Sequence, residues 1–331
     1  MASILKAGQT LGGRVSRYVL LKELYKAVDE GVVYLAKNLE NEHCILKCVP
    51  NHWRLRNEAT VLKMYQDTTP TLRPLLDEIE EPASIVLKYL DTDLLHESGK
   101  KRLSRPEIKQ VARAVLEALV PLHRDRLVHT DVKLDNIFAS YGADGNRFSS
   151  VQLGDCGGVV PDDSNLAKEG ALIGAHTSRS PEAMLELPWG TPTDIWSFGN
   201  IIVSLLFGGG YHIFNPRNEG ITKDDPMYLP IVLRRMYMFF GPFPTSYNDF
   251  SDPVTMHVIN SLNRGPPPQK PFELATAKEV PPADMRFILK IMKLDPRDRP
   301  TAEQLLADEW FTEESEDTRS PLKSESMASE A

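Results

Sequence analysis

The stretch LVHTDVKLDNIF, residues 127–138, decides how the rest of the chain is interpreted. It places Asp131, Lys133 and Asn136 within six residues, between a long amphipathic segment and an apolar Ile-Phe pair. A carboxylate that accepts a proton, a cation that neutralises a moving phosphate and a carboxamide that can ligate Mg²⁺ together suit the transfer of a phosphoryl group. A polar turn between a helix and a strand would explain the same three residues in isolation, so the surrounding motifs have to decide.

Length and composition limit the classes of protein to consider. The 331 residues can bury a large core and more often form two lobes or domains than one. A formal charge of −8 and the lack of a dense Lys/Arg tract argue against direct nucleic-acid binding. Three cysteines, none in a CxxC pair, are too few for a disulfide framework. No apolar run reaches the roughly 18 residues of a membrane span, and the N-terminus lacks a secretory pattern. We therefore expect an intracellular monomer, cytoplasmic or nuclear, that does not bind membranes.

Residues 16–90 have the pattern of a small, β-rich lobe. Short β-branched segments separated by polar turns predict an antiparallel sheet with strands at 18–24, 31–37, 44–49, 75–80 and 84–89. Residues 54–65 form a helical stretch in which Glu58 and Leu62, four positions apart, share one face. Residues 1–15 show no strong periodicity, and we interpret them as a mobile lead-in.

Residues 91–311 have the pattern of a larger, mostly helical lobe. Ser104 and Glu107 form a capping box that begins a helix with one apolar stripe, and a helix from Thr193 is apolar on most faces. Residues 139–150 are interpreted as a polar surface insertion, and residues 208–283 are punctuated by Gly and Pro, with short helical pieces between them. Helices predicted at 284–293 and 302–309 close the lobe, and the Ser- and Glu-rich tail, 312–331, is predicted to be disordered.

Several motifs give the chain a resemblance to the eukaryotic protein kinase superfamily over about residues 16–311. Residues 127–138 resemble the catalytic loop H-R-D-L-x-x-x-N, with Thr130 in the place of the arginine. Residues 155–157 (DCG) resemble D-F-G, and residues 179–182 (RSPE) resemble an A-P-E element preceded by arginine. The resemblance implies an α+β, bilobal protein-kinase fold, with a small, mostly antiparallel β lobe carrying one main helix and a large, mostly α-helical lobe.

A few positions resemble one subgroup of the protein kinases in particular. Thr130 and Arg179 point to the SR-protein-kinase-like branch of the CMGC group, and residues 239–244 resemble the segment before the insert of that group. Lys133, two positions after Asp131, is the serine/threonine-kinase arrangement. The resemblance therefore implies an ATP-dependent kinase that phosphorylates Ser or Thr hydroxyls of a protein substrate.

The resemblance also implies roles for single residues. Asp131, Lys133 and Asn136 would be catalytic, Asn136 and Asp155 would hold Mg²⁺, and Lys47 would bind the ATP phosphates and pair with Glu58. The other residues of the ATP pocket would be Gly31, Val33, Ile45, Leu87, Leu90 and Phe138, with residues 88–90 as the hinge that binds adenine through backbone groups. Three residues would support the site: Asp194, which anchors the catalytic loop, and the buried pair of Glu182 and Arg299.

The chain departs from the kinase pattern at a few positions. Lys26, Val28 and Gly31 stand in the three glycine places of the phosphate-binding loop, so the glycine motif is mostly absent. Cys156 replaces the phenylalanine of D-F-G, and Ala175 replaces a threonine that many Ser/Thr kinases carry. These departures lie at positions that bear on the rate and the substrate range.

Three alternatives to an active protein kinase follow. Taken singly, Lys47 could be a solvated residue at a strand end, Glu58 a surface glutamate and Asp155 a turn residue. A pseudokinase would keep the fold as a nucleotide- or protein-binding scaffold with little or no phosphotransfer. A phosphotransferase for small molecules is disfavoured because residues 180–182 and the CMGC-like insert belong to enzymes with protein substrates. We favour an active kinase, since Lys47, Asp131 and Asp155 are all present.

Overall fold

The computed structural model describes residues 5–27, 31–49, 53–143, 145–222, 224–266 and 271–313. Its N-terminal lobe consists of a six-stranded sheet and a helix, α1 (Trp53–Tyr65). The strands are β1 (Thr10–Gly12), β2 (Arg17–Ala27), β3 (Gly31–Lys37), β4 (His43–Cys48), β5 (Leu75–Ile79) and β6 (Ser84–Lys88). Their order in the sheet is β1-β2-β3-β4-β6-β5, and every neighbouring pair is antiparallel.

The alternation of side chains along β4 decides which of them face the cleft between the lobes. Cys44, Leu46 and Cys48 are buried in the cluster on the outer face of the sheet. Ile45 belongs instead to the cluster that includes α1 and the C-terminal lobe. Because successive side chains of a strand point to opposite faces, Lys47 lies on the same face as Ile45.

Residues 5–15 correct the expectation of a mobile lead-in. Strand β1 pairs with β2, with Thr10 opposite Val19. Leu5 and Leu11 are buried in the outer cluster of the sheet, and the Tyr34 hydroxyl donates a hydrogen bond to the Leu5 carbonyl oxygen at 2.9 Å. Two isolated leucines have no helix or strand period, so the sequence pattern did not reveal that they cover this face. Residues 1–4 lie outside the described residues.

The C-terminal lobe is mostly helical, with short strands beside the catalytic loop. Its helices are α2 (Leu94–Lys100), α3 (Arg105–Arg124), α4 (Asn165–Lys168), α5 (Pro181–Met184), α6 (Pro192–Phe207), α7 (Tyr228–Phe240), α8 (Pro253–Asn263), α9 (Pro282–Ile291) and α10 (Ala302–Leu306). Its strands are β7 (Thr92–Asp93), β8 (Leu127–Val128), β9 (Ile137–Tyr141), β10 (Phe148–Leu153) and β11 (Val160–Pro161). Strand β9 lies between β10 and β7 in one sheet, and β8 pairs with β11. The prediction of an α+β fold with a small antiparallel lobe and a large helical lobe is confirmed.

Helix α6 forms the centre of this lobe, as its apolar sequence predicts. Its residues from Thr193 to Leu206 are buried. Gly199 allows α6 and the end of α9 to approach each other closely. A Cβ atom at position 199 would lie 2.3 Å from the sulfur of Met292, the residue that follows α9. At the other end of α9, buried Asp284 accepts hydrogen bonds from Arg105 of α3 and from the Trp310 indole. These contacts fix α3, which leads into the catalytic loop.

The predicted surface insertion is shorter in the structure, and two other predicted features lie partly or wholly outside the described residues. Residues 139–150 mostly extend β9 and β10, which pair as far as Tyr141 and Phe148, so the loop between them is shorter than the predicted insertion. Thr312 and Glu313 are described, whereas the predicted tail from residue 314 onward and Val28 of the phosphate loop lie outside the described residues. In the described ranges, no helix has both the length and the apolar character that a membrane span requires.

Candidate active site

The catalytic loop runs from the end of β8 to the start of β9, and its side chains contact one another directly. The Asn136 amide group donates from Nδ2 to the backbone oxygen and to Oδ2 of Asp131, both at 2.9 Å. The Lys133 ammonium lies 3.1 Å from the same Oδ2 and 3.5 Å from Asp135. Burial would lower the pKa of Lys133, but the charges of Asp131 and Asp135 hold it above its ordinary value, so the lysine stays cationic. The structure therefore brings the three predicted catalytic residues together.

Asp194, at the start of α6, anchors the backbone of this loop. Its buried carboxylate accepts hydrogen bonds from the backbone N–H groups of His129 at 2.7 Å and Thr130 at 3.0 Å. The His123 ring nitrogen Nε2 lies 3.0 Å from the same carboxylate. Thr130 has a φ of 72°, which a β-branched residue rarely adopts, and the bond from its N–H to Asp194 holds it there.

Lys47 connects the two lobes through a pair of carboxylates. Its ammonium lies 2.8 Å from Glu58 of α1 and 2.8 Å from Asp155, which follows β10. Burial alone would lower the pKa of Lys47, but the charges of Glu58 and Asp155 outweigh it, so its pKa lies above the ordinary value. Asp155 keeps a pKa below its usual range because Lys47 outweighs the effect of burial. Lys47 is therefore cationic and Asp155 anionic at neutral pH, whereas burial raises the pKa of Glu58 and the charge of Lys47 opposes that rise.

Asn136 and Asp155 carry oxygen atoms of the kind that bind divalent cations, on two loops that are hydrogen-bonded to each other. The Gly154 N–H donates to the Asn136 carbonyl oxygen at 2.9 Å, so the two loops are joined beside both side chains. Among the described residues, no donor contacts Oδ1 of Asn136 or Oδ2 of Asp155, and the Asp155 side chain is 40% exposed. Carboxylate and amide oxygens are ligands that a hard divalent cation prefers. The chemistry of these two residues therefore fits Mg²⁺, the metal that the kinase resemblance implies. The described part of the chain contains no group of three or more His, Cys, Asp or Glu residues that could hold a metal ion.

The predicted apolar residues of the nucleotide pocket lie around the same cleft. In the sheet, Val33 is opposite Lys47, and Ile45 is opposite Leu87. Ile45 and Leu87 are buried, and so is Leu90 just after β6. Phe138, on β9, covers the cleft from the C-terminal lobe and is partly exposed. An apolar pocket beside charged groups is typical of a small-molecule site.

Gly31 has a structural reason to be glycine that is separate from phosphate binding. Its φ is +87°, and a Cβ atom there would lie 2.3 Å from the backbone oxygen of Cys48 and 2.7 Å from Val49 Cγ2. The close approach of β3 to the end of β4 therefore requires glycine at this position, whatever the neighbouring loop binds.

Cys156 lies where the D-F-G motif has phenylalanine. Its thiol is completely buried in the core cluster that also contains Leu62. Burial raises the pKa of the thiol well above its ordinary value, so Cys156 is an unreactive apolar side chain here.

The end of the activation segment is fixed by the Glu182–Arg299 pair. Two hydrogen bonds of 2.7 and 2.8 Å join the buried guanidinium and carboxylate groups. Arg299 also donates to three backbone carbonyls and lies over the Trp196 ring at 5.1 Å. This bidentate arrangement satisfies both buried charges.

Three residues make contacts at the site or its loops that the sequence did not predict. Asn57 of α1 donates to the backbone oxygens of Gly157 at 3.2 Å and Val159 at 2.7 Å, and thereby joins the helix to the activation segment. The hydroxyl of Thr130 donates to the Gly158 carbonyl at 3.0 Å. Arg73 lies against Phe138 at the inner end of the cleft. A single polar residue on a helix or before a strand carries no local signal of such contacts.

Comparison with known proteins places the whole arrangement in a family. Residues 24–311 match the family described as protein kinase domain. Over 309 residues the chain is 26% identical to the serine/threonine-protein kinase US3 homolog of varicella-zoster virus (strain Dumas), an alignment that covers 91% of this chain and 75% of that protein. It is 26% identical over 259 residues to the serine/threonine-protein kinase PAK mbt of Drosophila melanogaster, covering 76% of this chain but 32% of that protein.

A second PAK protein gives a similar result over a shorter alignment. The chain is 30% identical over 204 residues to the serine/threonine-protein kinase PAK 5 of Rattus norvegicus, which covers 59% of this chain and 24% of that protein. The chain thus spans a third or less of the length of the two PAK proteins. These relatives do not support the narrower CMGC assignment, which stays a prediction. The prediction of a serine/threonine protein kinase is confirmed. Because the match extends across both lobes and includes each element that carries the site, the chain belongs to the protein kinase domain family.

Proposed function

We propose that this protein kinase transfers the γ-phosphoryl group of ATP, bound with Mg²⁺, to a serine or threonine hydroxyl of a protein substrate. The observation that carries the proposal is the position of Lys47, which lies 2.8 Å from both Glu58 and Asp155. A kinase active in phosphoryl transfer needs the lysine–glutamate pair and the metal-binding aspartate in place at the same time. A scaffold that only binds a partner has no need of this arrangement, and nothing in the site favours the pseudokinase alternative.

The residues of the catalytic loop divide the work of the reaction. Asp131 is 27% exposed, so a substrate hydroxyl can reach its carboxylate, which orients the hydroxyl and accepts its proton. Asn136 holds this carboxylate at Oδ2, and the charge of Lys133 beside it stabilises negative charge that develops on the transferred group. Lys47 orients the nucleotide phosphates from the N-terminal lobe.

Asn136 and Asp155 are the residues that would hold the Mg²⁺ ion. When bound, the nucleotide supplies the phosphoryl group and the cation neutralises part of its charge. Mg²⁺ is favoured over softer metals because these two ligands offer only oxygen atoms. We extend the same proposal to an intracellular setting, which the three free and buried cysteines support (Cys44, Cys48 and Cys156).

The narrower proposal is a CMGC kinase of the SR-protein-kinase-like type that acts on arginine- and serine-rich segments. Thr130 and Arg179 support it at the sequence level, as does the long segment between α7 and α9 that contains α8. The formal charge of −8 supports a basic substrate, because opposite charges increase the rate of encounter. A single chain acting as a monomer is part of this proposal.

The test is ATP turnover by the full chain with Mg²⁺ and an arginine/serine-rich peptide, followed by identification of the phosphorylated amino acid. We expect phosphoserine or phosphothreonine at a rate well above that without enzyme. An acidic peptide of the same length with the same serines serves as the control for the narrower proposal. Equal rates on both peptides would contradict the basic-substrate preference, and no transfer to any peptide would contradict the kinase proposal itself.

A further inference from the structure

A buried arginine occupies the inner end of the nucleotide cleft. Arg73 lies in the connection between α1 and β5, and its backbone N–H donates to the Leu153 carbonyl at 2.8 Å, while the Leu153 N–H donates to Thr71 at 2.8 Å. Leu153 ends β10, two residues before Asp155. The position of Arg73 is therefore fixed beside the residues that would bind the metal and the phosphates.

The Arg73 side chain extends along the cleft toward the hinge. Its Nε donates to the backbone oxygen of Lys88 at 2.9 Å, and its guanidinium carbon lies 4.2 Å from the centre of the Phe138 ring. The residue is 7% exposed. An arginine stacked on an aromatic face is attracted to it, and the stack orients the plane of the guanidinium group.

Gly154 leaves room for this stack. A Cβ atom on Gly154 would lie 2.8 Å from Phe138 Cε2 and 3.3 Å from Arg73 Cδ. A larger residue just before Asp155 would therefore displace the ring or the arginine. The glycine, the ring and the arginine form one packed unit.

The two terminal nitrogens of Arg73 keep their donors for a ligand. Within the described ranges they make no hydrogen bond, and no carboxylate oxygen lies within the 4.0 Å limit of a salt bridge. Burial lowers the pKa of Arg73 to about 10, although Glu58 and Asp155 act in the opposite direction. The group remains charged at neutral pH, so its terminal N–H groups can donate to an acceptor that enters the cleft.

This arrangement bears on which nucleotide base fits the cleft. The charged groups around Lys47 would take the phosphates, so the flat base would lie by the buried side chains of Leu87 and Leu90, next to the Arg73 guanidinium that covers one face of Phe138. At that end the Lys88 carbonyl oxygen is already bonded to Arg73, and Arg73 presents N–H donors. Adenine carries an amino donor at position 6, whereas guanine and hypoxanthine carry an acceptor oxygen there, and arginine pairs with the O6 and N7 acceptors of guanine.

We propose that Arg73 makes this site accept 6-oxopurine nucleotides, GTP and ITP, at least as well as ATP. The proposal rests on the proposed function, because it concerns the phosphoryl donor of the same site. Arg73 acts as a specificity-determining residue: its donors match the O6 acceptor and face the amino group of adenine unfavourably. One matched arginine–base pair makes the affinity for the matching base higher than that for a mismatched base by about tenfold or more.

Binding of nucleoside diphosphates tests the proposal without any phosphoryl transfer. The dissociation constants of ADP, GDP, IDP and purine riboside 5′-diphosphate are measured with Mg²⁺ on the full wild-type chain by calorimetry. IDP differs from ADP at position 6, and the purine riboside carries no group there. We expect IDP and GDP to bind at least as tightly as ADP, with the purine riboside between IDP and ADP. Tighter binding of ADP than of both IDP and GDP would overturn the proposal, and this arm needs no variant.

The variant Arg73→Met removes the donors and keeps the length of the side chain. We expect the ratio of the dissociation constant of ADP to that of IDP to be lower than in wild type by about tenfold or more. Arg113→Met is the matched control, since Arg113 lies over the Phe311 ring at 4.6 Å in the C-terminal lobe, away from the cleft. A ratio in Arg73→Met equal to that of wild type and Arg113→Met would overturn the proposal.

A chain that transfers no phosphate but still shows the IDP preference would contradict the proposed function and leave the role of Arg73 supported.

Discussion

At the scale of single residues, a short hydroxyl contacts the start of the activation segment at the place where many kinases have an arginine. Thr130 stands where many kinases have an arginine, and its hydroxyl donates to the Gly158 carbonyl at 3.0 Å. A Cβ atom on Gly158 would lie 2.6 Å from this hydroxyl oxygen, so the glycine is needed for the contact. Arg179 donates to the carbonyls of Ile173 and Gly174, which fixes the far part of the segment.

These contacts predict that the activation segment, residues 155–182, needs no phosphorylation. Phosphate orders such segments by pairing with a nearby cation, and the neutral Thr130 cannot make that pair. Protein made without a co-expressed kinase and then treated with phosphatase should keep most of its peptide-phosphorylation rate compared with a mock-treated sample. The hydroxyls that should be dispensable as phosphosites are those of Ser164, Thr177 and Ser178. An inactive sample that recovers only when an upstream kinase is added would disprove this prediction.

Residues within a recognisable motif could be identified from the sequence, even as distant partners such as Glu182 and Arg299, whereas residues outside any motif could not. Asp131, Lys133 and Asn136 share one short loop, so their spacing alone indicated the chemistry. Asn57 is separated by 100 residues from Gly157 and by 102 residues from Val159, whose carbonyls it contacts. No local pattern encodes such a contact, because it exists only once both lobes have folded.

At the scale of elements, prediction succeeded where burial alternates regularly. The strand predicted at 31–37 coincides with β3, and the helix predicted at 54–65 differs from α1 by one residue, since both have a repeating apolar face. Strand β1 has three residues, too few to show a period. Helix α8 lies in the segment punctuated by Gly and Pro in which short helical pieces were expected, and it begins at Pro253 with Asp252 as its cap.

Glu97 joins α2 to the β9–β10 hairpin and predicts a dependence of stability on pH. Its carboxylate accepts from Lys100 at 3.0 Å, from the Tyr141 hydroxyl at 2.8 Å and from Arg147 at 3.1 Å. Burial would raise the pKa of Glu97, but the hydrogen bonds from these three donors lower it to about 2. Because the folded-state pKa lies below the ordinary value of 4.5, the stabilisation is complete above that pH and is lost as the pH falls toward 2.

We therefore predict that Glu97→Gln lowers the thermal midpoint at pH 7, and that the difference from wild type begins to shrink below pH 4.5 and disappears only as the pH falls toward 2. The exposed Glu80 provides a control, because Glu80→Gln should leave the midpoint nearly unchanged at both pH values. Thermal unfolding followed by circular dichroism at pH 7, 5, 4 and 3 measures the effect. A difference between wild type and Glu97→Gln that stays constant over this range would show that the carboxylate does not titrate as described.

At the scale of the whole molecule, the buried Glu182–Arg299 pair joins the activation segment to the last helices of the C-terminal lobe. Removal of one partner leaves an unpaired charge in the core, which costs about 3–5 kcal/mol. We predict a loss of this size in the free energy of unfolding for Arg299→Met, measured by urea denaturation. Arg286→Met is the matched control, because the pair of Arg286 with Glu313 is exposed and should contribute no more than about 1 kcal/mol. Equal losses in the two variants would contradict a structural role for the buried pair.

The central claim is that the cleft between the lobes is a working phosphotransfer site with Asp131 as its proton acceptor. The most direct test compares Asp131→Asn with Asp135→Asn, since both aspartates lie beside Lys133, at 3.1 and 3.5 Å. Steady-state peptide phosphorylation with Mg²⁺ and ATP separates kcat from KM. We predict that Asp131→Asn lowers kcat by about 10²- to 10⁴-fold with little change in the KM for ATP, and that Asp135→Asn stays close to wild type. If Asp131→Asn phosphorylated the peptide at the wild-type rate, this loop would not be the catalytic one and the account would be wrong.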